Sequence, residues 1–467
     1  MKDQEGEPGG GRFRKKIRLR HAVAMYGSSV LGSGILILPG LAARIAGPAS
    51  ILAWVLLSLS SYPFAYTFAS LSSRRPESGG IYSFAKEAFG LPTATIAGWL
   101  FALWVIAGAP AVTLIAASYL GYAFPINHSE TLVIAFGIFL AAFLVNYRGI
   151  VMSTRIQLAI ILAIIGLLVA TIAASLLYVR PANFLPFFPR GIAPVGTAAA
   201  LIFWSYLGYE NVSNVAEEFE NPERDFQRGI LLSVFQIGGL YIAIAFVTIG
   251  TLAYATGGNI APFASIISHV VGGYGAESTA ILAVFIIFGT ANAYTAGMSR
   301  VFYAVSRDGG FPRTLGHINP NSGVPERALI ALFVCAIPVF LVYYFFSVDL
   351  ETALLVPSGA AILVYVIGSA SGVRLFRKKD ADTIARYKTR LALSGISLAI
   401  SLVVLAFVGP LLIVAVTIAL AAMLYSWRVR RRAGVSAFKS ASDYFDPRQQ
   451  RLQAEPGHEK AYLAIDS

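Results

Sequence analysis

Apolar residues in this chain come in long blocks, and the polar residues gather between them. Runs long enough to cross the ~30 Å hydrocarbon core of a bilayer fall at 21–46, 49–73, 92–123, 130–147, 152–179, 195–216, 227–256, 277–306, 326–346, 350–374, 389–408 and 410–428. This pattern predicts twelve transmembrane helices. Only Gly409-Pro410 divides the last two runs; reading them as one gives eleven spans but leaves an apolar run of about forty residues unexplained. Between the second and third runs, Ser78 to Gly90 carries Lys86-Glu87 on one side and Ile81, Phe84 and Phe89 on the other. That is the pattern of a short amphipathic cytoplasmic helix able to brace or close an inner gate.

Two of the blocks are interrupted. The first holds Leu31-Gly32-Ser33-Gly34-Ile35 and then Pro39-Gly40. Backbone groups freed at mid-depth must line protein or a water-filled cavity, not lipid. A half-helix beginning there presents bare N–H groups and a positive dipole end, suited to the carboxylate of a small substrate. Five spans later the sixth block reads Phe203-Trp204-Ser205-Tyr206-Leu207-Gly208-Tyr209-Glu210-Asn211. Small residues also let membrane helices pack closely, so either break alone is ambiguous. Two breaks at corresponding positions of five-span halves form the pattern of an inverted-repeat transporter with its substrate near the midplane.

Composition agrees with the blocks. With 57% hydrophobic residues, 13% charged residues and a mean hydropathy of +0.69, the chain is too apolar for a soluble domain, in which charged residues make up about 25%. The formal net charge of +12 does not point to nucleic acid. With both termini cytoplasmic, 33 of the 36 Lys and Arg fall on the inside, and only Arg44, Arg180 and Arg190 lie outside. This is the positive-inside distribution of a multi-pass protein of the cytoplasmic membrane, and the basic segments beside the spans suit contact with anionic membrane lipids. Residues 1–20 are polar and basic, and no secretory cleavage pattern follows.

Metal and redox chemistry find no support. His21, His128, His269, His317 and His458 are scattered without HxxxH or HxxE pairing, and Cys335 is alone, so neither a metal site nor an intrachain disulfide is expected. Cys335, inside the ninth apolar run, reads as a small core residue. Gly309-Gly310 lacks the GxxxxGK[ST] pattern of a phosphate loop. No catalytic constellation and no cofactor are expected, and the chain does not read as an enzyme. Glu210 is the one acid placed at depth, where a carboxylate costs about 2.5–3.5 kcal/mol on insertion scales. It reads either as a proton-binding or gating group, or as a carboxylate capped by N–H groups of the broken helix. Glu217, Glu218 and Glu220 sit beside Asn221-Pro222-Glu223-Arg224 and read as a solvated face or as partners of Arg224 and Arg228.

Four stretches resemble the amino acid, polyamine and organocation (APC) transporter superfamily: Gly32-Ser33-Gly34-Ile35 to Pro39-Gly40; Pro76-Glu77-Ser78-Gly79-Gly80-Ile81-Tyr82 with Phe89-Gly90 and Gly98-Trp99; Gly208-Tyr209-Glu210 to Asn221-Pro222-Glu223-Arg224; and Ser306-Arg307-Asp308-Gly309-Gly310-Phe311-Pro312. The resemblance implies an all-α, leucine transporter-like fold with discontinuous helices 1 and 6. Its parts would be a cytoplasmic tail at 1–20, a transporter core at 21–376 with inverted repeats at about 21–180 and 195–376, peripheral spans 11 and 12 at 388–432, and a cytoplasmic tail at 433–467. It further implies an amino acid substrate whose carboxylate meets Ser33 and the amides of Gly34 and Ile35. The ammonium would meet carbonyls at Val30, Trp204 and Leu207, beside Gly208. Trp204 would serve as an aromatic gate or wall, with Tyr206, Tyr209 and Tyr294 lining the same space or simply packing.

The chain is similar to arginine and agmatine antiporters through Leu31-Gly32-Ser33-Gly34, Trp204-Ser205 and Arg155-Ile156-Gln157. Where their third span offers an amide to a guanidinium, this one reads Ala107-Gly108-Ala109-Pro110. A cationic side chain would be left unpaired there, so a neutral, apolar amino acid is expected. Leu158 to Ser175 contains no lysine, so the device of some proton-driven relatives is missing. Thr290, Asn292 and Thr295 are candidate sodium ligands, though such hydroxyls commonly bond their own backbone. Proton coupling, sodium coupling and exchange all stay open. So do export in place of uptake, a polyamine or cationic amino acid antiporter, and a channel or sensor reusing the fold.

Overall fold

The computed structural model describes residues 30–74, 80–149, 154–212, 222–255, 260–319, 324–377 and 384–432, and every regular element among them is helical. That follows from the solvent: in lipid each backbone N–H and C=O must be satisfied within its own segment, which a helix does. In chain order the α-helices are α1 (Gly34–Ala46), α2 (Ser50–Arg74), α3 (Ile81–Phe89), α4 (Leu91–Ala123), α5 (His128–Tyr147), α6 (Thr154–Ser175), α7 (Ala193–Ile202), α8 (Tyr209–Val212), α9 (Pro222–Gly250), α10 (Pro262–Val271), α11 (Gly273–Arg307), α12 (Glu326–Phe346), α13 (Leu350–Phe376), α14 (Ile384–Leu405) and α15 (Leu412–Arg432).

Among the described residues, ten helical stretches are long and apolar enough to cross a membrane. The difference from the twelve apolar runs has a physical origin. The runs at 21–46 and 49–73 meet in one stretch, Gly34–Ser72, joined by a 3₁₀ turn at Gly47–Ala49, and the run at 195–216 is cut short by its break, leaving Ala193–Tyr206. The centre of the bundle is α4, which packs against α11 and α13, while α1 lies on α7 and α2 on α9. Burial separates centre from flank. The most apolar windows of α4 and α13 are 83% and 72% buried within the protein, whereas those of the stretches in α14 and α15 are 22% and 17% buried.

Besides the broken pair α7 and α8, the short helices α3 and α10 sit outside the crossing set. Helix α3 forms over Ile81–Phe89 as its pattern predicts, burying Ile81, Tyr82, Phe84, Ala85 and Ala88. Helix α10 lies between the apolar runs 227–256 and 277–306. It begins with Pro262 in its first turn and buries Phe263, Ala264 and Ile266. One expectation is corrected here: Cys335 is exposed on α12 and does not belong to the core. A cysteine thiol is apolar enough to face lipid, so hydropathy alone does not tell an inward position from an outward one. Glu217, Glu218, Glu220 and Asn221 lie outside the described residues, as do residues 1–29 and 433–467.

Candidate functional site

The second break is built in three steps. Helix α7 tightens into a 3₁₀ turn at Phe203–Tyr206, Leu207 takes an extended conformation, and Gly208 has φ 119°, after which α8 begins at Tyr209. A β-carbon is strained at that φ, which accounts for glycine at this point. The first break opens α1 at Gly34, with Ser33 as its N-cap residue and the Leu36 amide donating to the Ser33 carbonyl at 3.2 Å. The opening N–H groups of α1 have no carbonyl one turn back within the helix.

The structure brings the two breaks together. A β-carbon added to Gly34 would lie 2.7 Å from both Trp204 Cδ1 and Ser205 Oγ. One added to Gly108 on α4 would lie 2.6 Å from the far edge of the same indole. Trp204 therefore occupies a berth that only two glycines leave open. Its ring stacks on Tyr294 at 6.3 Å between centroids and meets Trp104 edge-on at 6.4 Å. Trp104, Val105, Gly108, Ala109, Val112, Trp204, Ala291 and Tyr294 enclose a cavity of about 10 Å³, room for about one water. An amino acid side chain would enter it only if the aromatic lining moved.

Two hydroxyls beside this cavity have unmet hydrogen-bonding capacity. Ser33 Oγ and Ser205 Oγ are buried and have no partner among the described residues, and the same holds for Trp104 Nε1. With the opening amides of α1, the serines form a donor set for an anion. The carbonyl oxygens of the preceding segments have donors within the protein: the Leu207 amide donates to that of Trp204. The Tyr241 hydroxyl on α9 lies 3.0 Å from the Val30 carbonyl oxygen and 3.2 Å from that of Ser205, so a single donor bridges both breaks.

Glu210 opens the second half-helix and is 5% exposed. Its Oε2 accepts from the Gly208 amide at 2.9 Å and from the Tyr365 hydroxyl on α13 at 2.5 Å. Hydrogen bonds to a carboxylate are the strong kind, and these two offset part of the cost of holding the acid at depth. Tyr365 is itself held edge-on by Phe64, Phe68 and Phe203. The Tyr206 hydroxyl pairs with Ser58 Oγ at 2.6 Å and lies 3.2 Å from the Trp54 carbonyl oxygen, both on α2.

Thr290, Asn292 and Thr295 each have a hydrogen-bond partner within the protein. The Thr290 and Thr295 hydroxyls donate to the carbonyls of Ile286 and Ala291, and Asn292 Oδ1 accepts from Asn146 Nδ2 on α5 at 2.8 Å. Thr290 does reach the first break, its methyl lying 3.8 Å from where a Gly32 β-carbon would be. At the basic end of the bundle, Asp308, just beyond α11, accepts from Lys86 Nζ at 2.8 Å and from the Tyr82 hydroxyl at 2.9 Å, both on α3. Trp99 Nε1 adds a bond to the Gly310 carbonyl at 2.8 Å. Tyr241, Tyr365 and Trp104 went unremarked in the sequence. The signal was there: a tyrosine or tryptophan deep in an apolar run needs a partner for its polar atom.

Comparison with known proteins adds to this geometry. The amino acid permease family model matches residues 17–427. An uncharacterized amino acid permease of Bacillus subtilis, YecA, is 36% identical over 79% of this chain and 87% of its own length. The L-methionine/branched-chain amino acid exporter YjeH of Escherichia coli is 29% identical over 85% of this chain and 92% of its own. The branched-chain amino acid permease BcaP of Bacillus subtilis is 30% identical over 64% and 69%. The chain thus belongs to the amino acid permease family of the APC superfamily, and it is a multi-pass membrane transporter of amino acids, not an enzyme.

Proposed function

We propose that the protein carries neutral, apolar amino acids across the cytoplasmic membrane by alternating access. Both termini are cytoplasmic in this reading, twelve spans form two inverted repeats at about 21–180 and 195–376, and residues 388–432 are peripheral. The observation that carries it is the meeting of the two breaks at Gly34, Trp204 and Ser205. The substrate carboxylate takes Ser33 and the amides of Gly34 and Ile35, and its ammonium takes the carbonyls of Val30, Trp204 and Leu207 beside Gly208. Opposite charges thus meet opposite helix ends. The side chain enters the cavity between Trp104, Gly108, Trp204 and Tyr294. Among the described residues no charged one lines that cavity, so a cationic side chain would be buried unpaired. Relatives named for methionine and branched-chain amino acids support the same preference.

Trp204 and Tyr294 gate the cavity, and Glu210 senses or carries a proton. Thr290, Asn292 and Thr295 remain the group to examine if sodium proves to be the driving ion. Proteoliposomes test the reading. Labelled leucine or methionine should enter saturably, and an imposed pH gradient, an imposed sodium gradient or preloaded substrate should each be tried as the driver. Accumulation under one gradient names the ion, and uptake confined to preloaded vesicles makes the protein an exchanger. Binding of arginine about tenfold tighter than leucine, a difference of about 1.4 kcal/mol, would overturn the apolar assignment. Absence of counterflow would overturn transport.

A further inference from the structure

A second cavity, of about 660 Å³, opens at the other end of α2 from α3, where α1 ends and α7 and α13 begin. Arg44, Arg190, Ala193, Thr197, Glu351 and Phe407 line it, with apolar neighbours completing the wall. Its charge needs an explanation. In the orientation proposed above, on which this inference rests, only three of the 36 basic residues fall on this side of the spans, because membrane insertion disfavours Lys and Arg there, yet two of those three meet in this cavity. Arg190 Nη1 donates to the carbonyls of Arg44 and, at 3.0 Å, Ile45. A guanidinium has five N–H donors, and the described residues offer Arg190 no further acceptor. Arg44 meets Glu351 at 3.3 Å, with the two side chains 51% and 25% exposed, a pair weak enough to exchange partners. Two guanidinium groups thus face one carboxylate.

Two further features add to this imbalance. Helix α7 begins at the cavity; Pro194 has no N–H, the Val195 amide donates to the Ile192 carbonyl at 3.0 Å, and no side chain among the described residues caps the N-terminus, so the Ala193 amide and the helix dipole add positive potential. The far wall is Phe407, 38% exposed, which lies against Gly196 of α7. Beside it Leu402, Val403 and Ile413 are exposed on α14 and α15, the flank that faces lipid. A soluble anion would use the charges alone. The charges together with an adjoining apolar, lipid-facing wall fit a molecule with a phosphate at one end and hydrocarbon at the other.

We propose that this cavity binds the phosphodiester headgroup of an anionic lipid. Arg44, Arg190 and the Ala193 amide at the start of α7 receive the phosphate, and an acyl chain runs along Phe407 and Val403. Glu351 is the internal competitor that the phosphate displaces from Arg44.

The experiment uses the full chain, delipidated in detergent and titrated with fluorescent phosphatidylglycerol. Unlabelled phosphatidylglycerol, phosphatidylcholine or free glycerol 3-phosphate serve as competitors. Phosphatidylglycerol should compete at least about tenfold better than either of the others. Ala193→Glu, which places an acid at the start of α7 where helices favour one, should weaken retention about tenfold, while Ala193→Gln should not. Arg44→Gln should weaken binding and Glu351→Gln should strengthen it. Both substitutions break the same ion pair, so a purely structural role would move both in one direction, and that result would overturn the proposal. Equal competition by phosphatidylcholine would overturn it as well. Full competition by glycerol 3-phosphate would replace the lipid with a soluble phosphate, and wild-type behaviour of Ala193→Glu would exclude the cavity.

Discussion

The two breaks face each other but are made of opposite materials. The first, Gly32-Ser33-Gly34, is small and supplies space. The second, Phe203 to Glu210, is aromatic and polar and supplies what fills that space. The second is also the more firmly tied: Tyr206 is hydrogen-bonded to α2, Glu210 to Tyr365 on α13, and the Ser205 carbonyl to Tyr241 on α9. Among the described residues, the first is held by fewer side-chain bonds, the Tyr241 bridge to Val30 and the Tyr119 hydroxyl to the Leu36 carbonyl. The contrast teaches a division of labour. An alternating-access site needs a frame that keeps its shape and a part that moves: these bonds fix the residues that follow Trp204, while its indole is held by ring contacts with Trp104 and Tyr294 and can swing as the gate.

That comparison can be broken most severely at Gly34. A β-branched residue there would overlap Trp204 and Ser205 at 2.7 Å, an overpacking cost of about 3 kcal/mol. Gly34→Val should therefore lower transport roughly a hundredfold while the protein still inserts and is recovered from the membrane; uptake at the wild-type rate would remove the first break from the site. Gly108→Val attacks the same indole from α4. It should cost about tenfold, since the Trp204 edge can tilt into the cavity, and should hurt larger substrates more than alanine. Competition by a series of amino acids reads this directly.

Tyr241→Phe tests the bridge between the breaks. Loss of one net hydrogen bond, about 1 kcal/mol, should reduce transport about fivefold and leave the discrimination among substrates unchanged. A changed substrate profile would mean that Tyr241 touches the substrate. The smallest change in rate is expected for Glu210→Gln, about twofold at neutral pH, because an amide oxygen can still accept from Gly208 and Tyr365. Its signature lies in the pH profile of uptake, which should flatten. A profile as steep as that of the wild type would make Glu210 a structural cap of the second half-helix.

Much of this was legible in the chain itself. Long apolar blocks dictate membrane helices, because lipid offers no partner for an open backbone, and the one-sided placement of Lys and Arg gives the expected orientation. Glycine and serine at mid-depth mark both breaks, since only a protein-lined cavity tolerates them there. The amphipathic pattern from Ile81 to Phe89 likewise predicts a surface helix, and the structure adds its anchor at Asp308. What the sequence could not decide is which distant residues meet. Nothing local in Ala107-Gly108-Ala109 says that Trp204, nearly a hundred residues on, lies against it. Nothing near Glu210 points to Tyr365, 155 positions away. Hydropathy also assigned Cys335 inward because apolar residues suit protein and lipid alike. Periodicity and composition report the solvent each segment needs. The neighbours are chosen by close packing, which depends on every helix at once, so only the tertiary structure could decide that two glycines, two serines and a tryptophan would share one site.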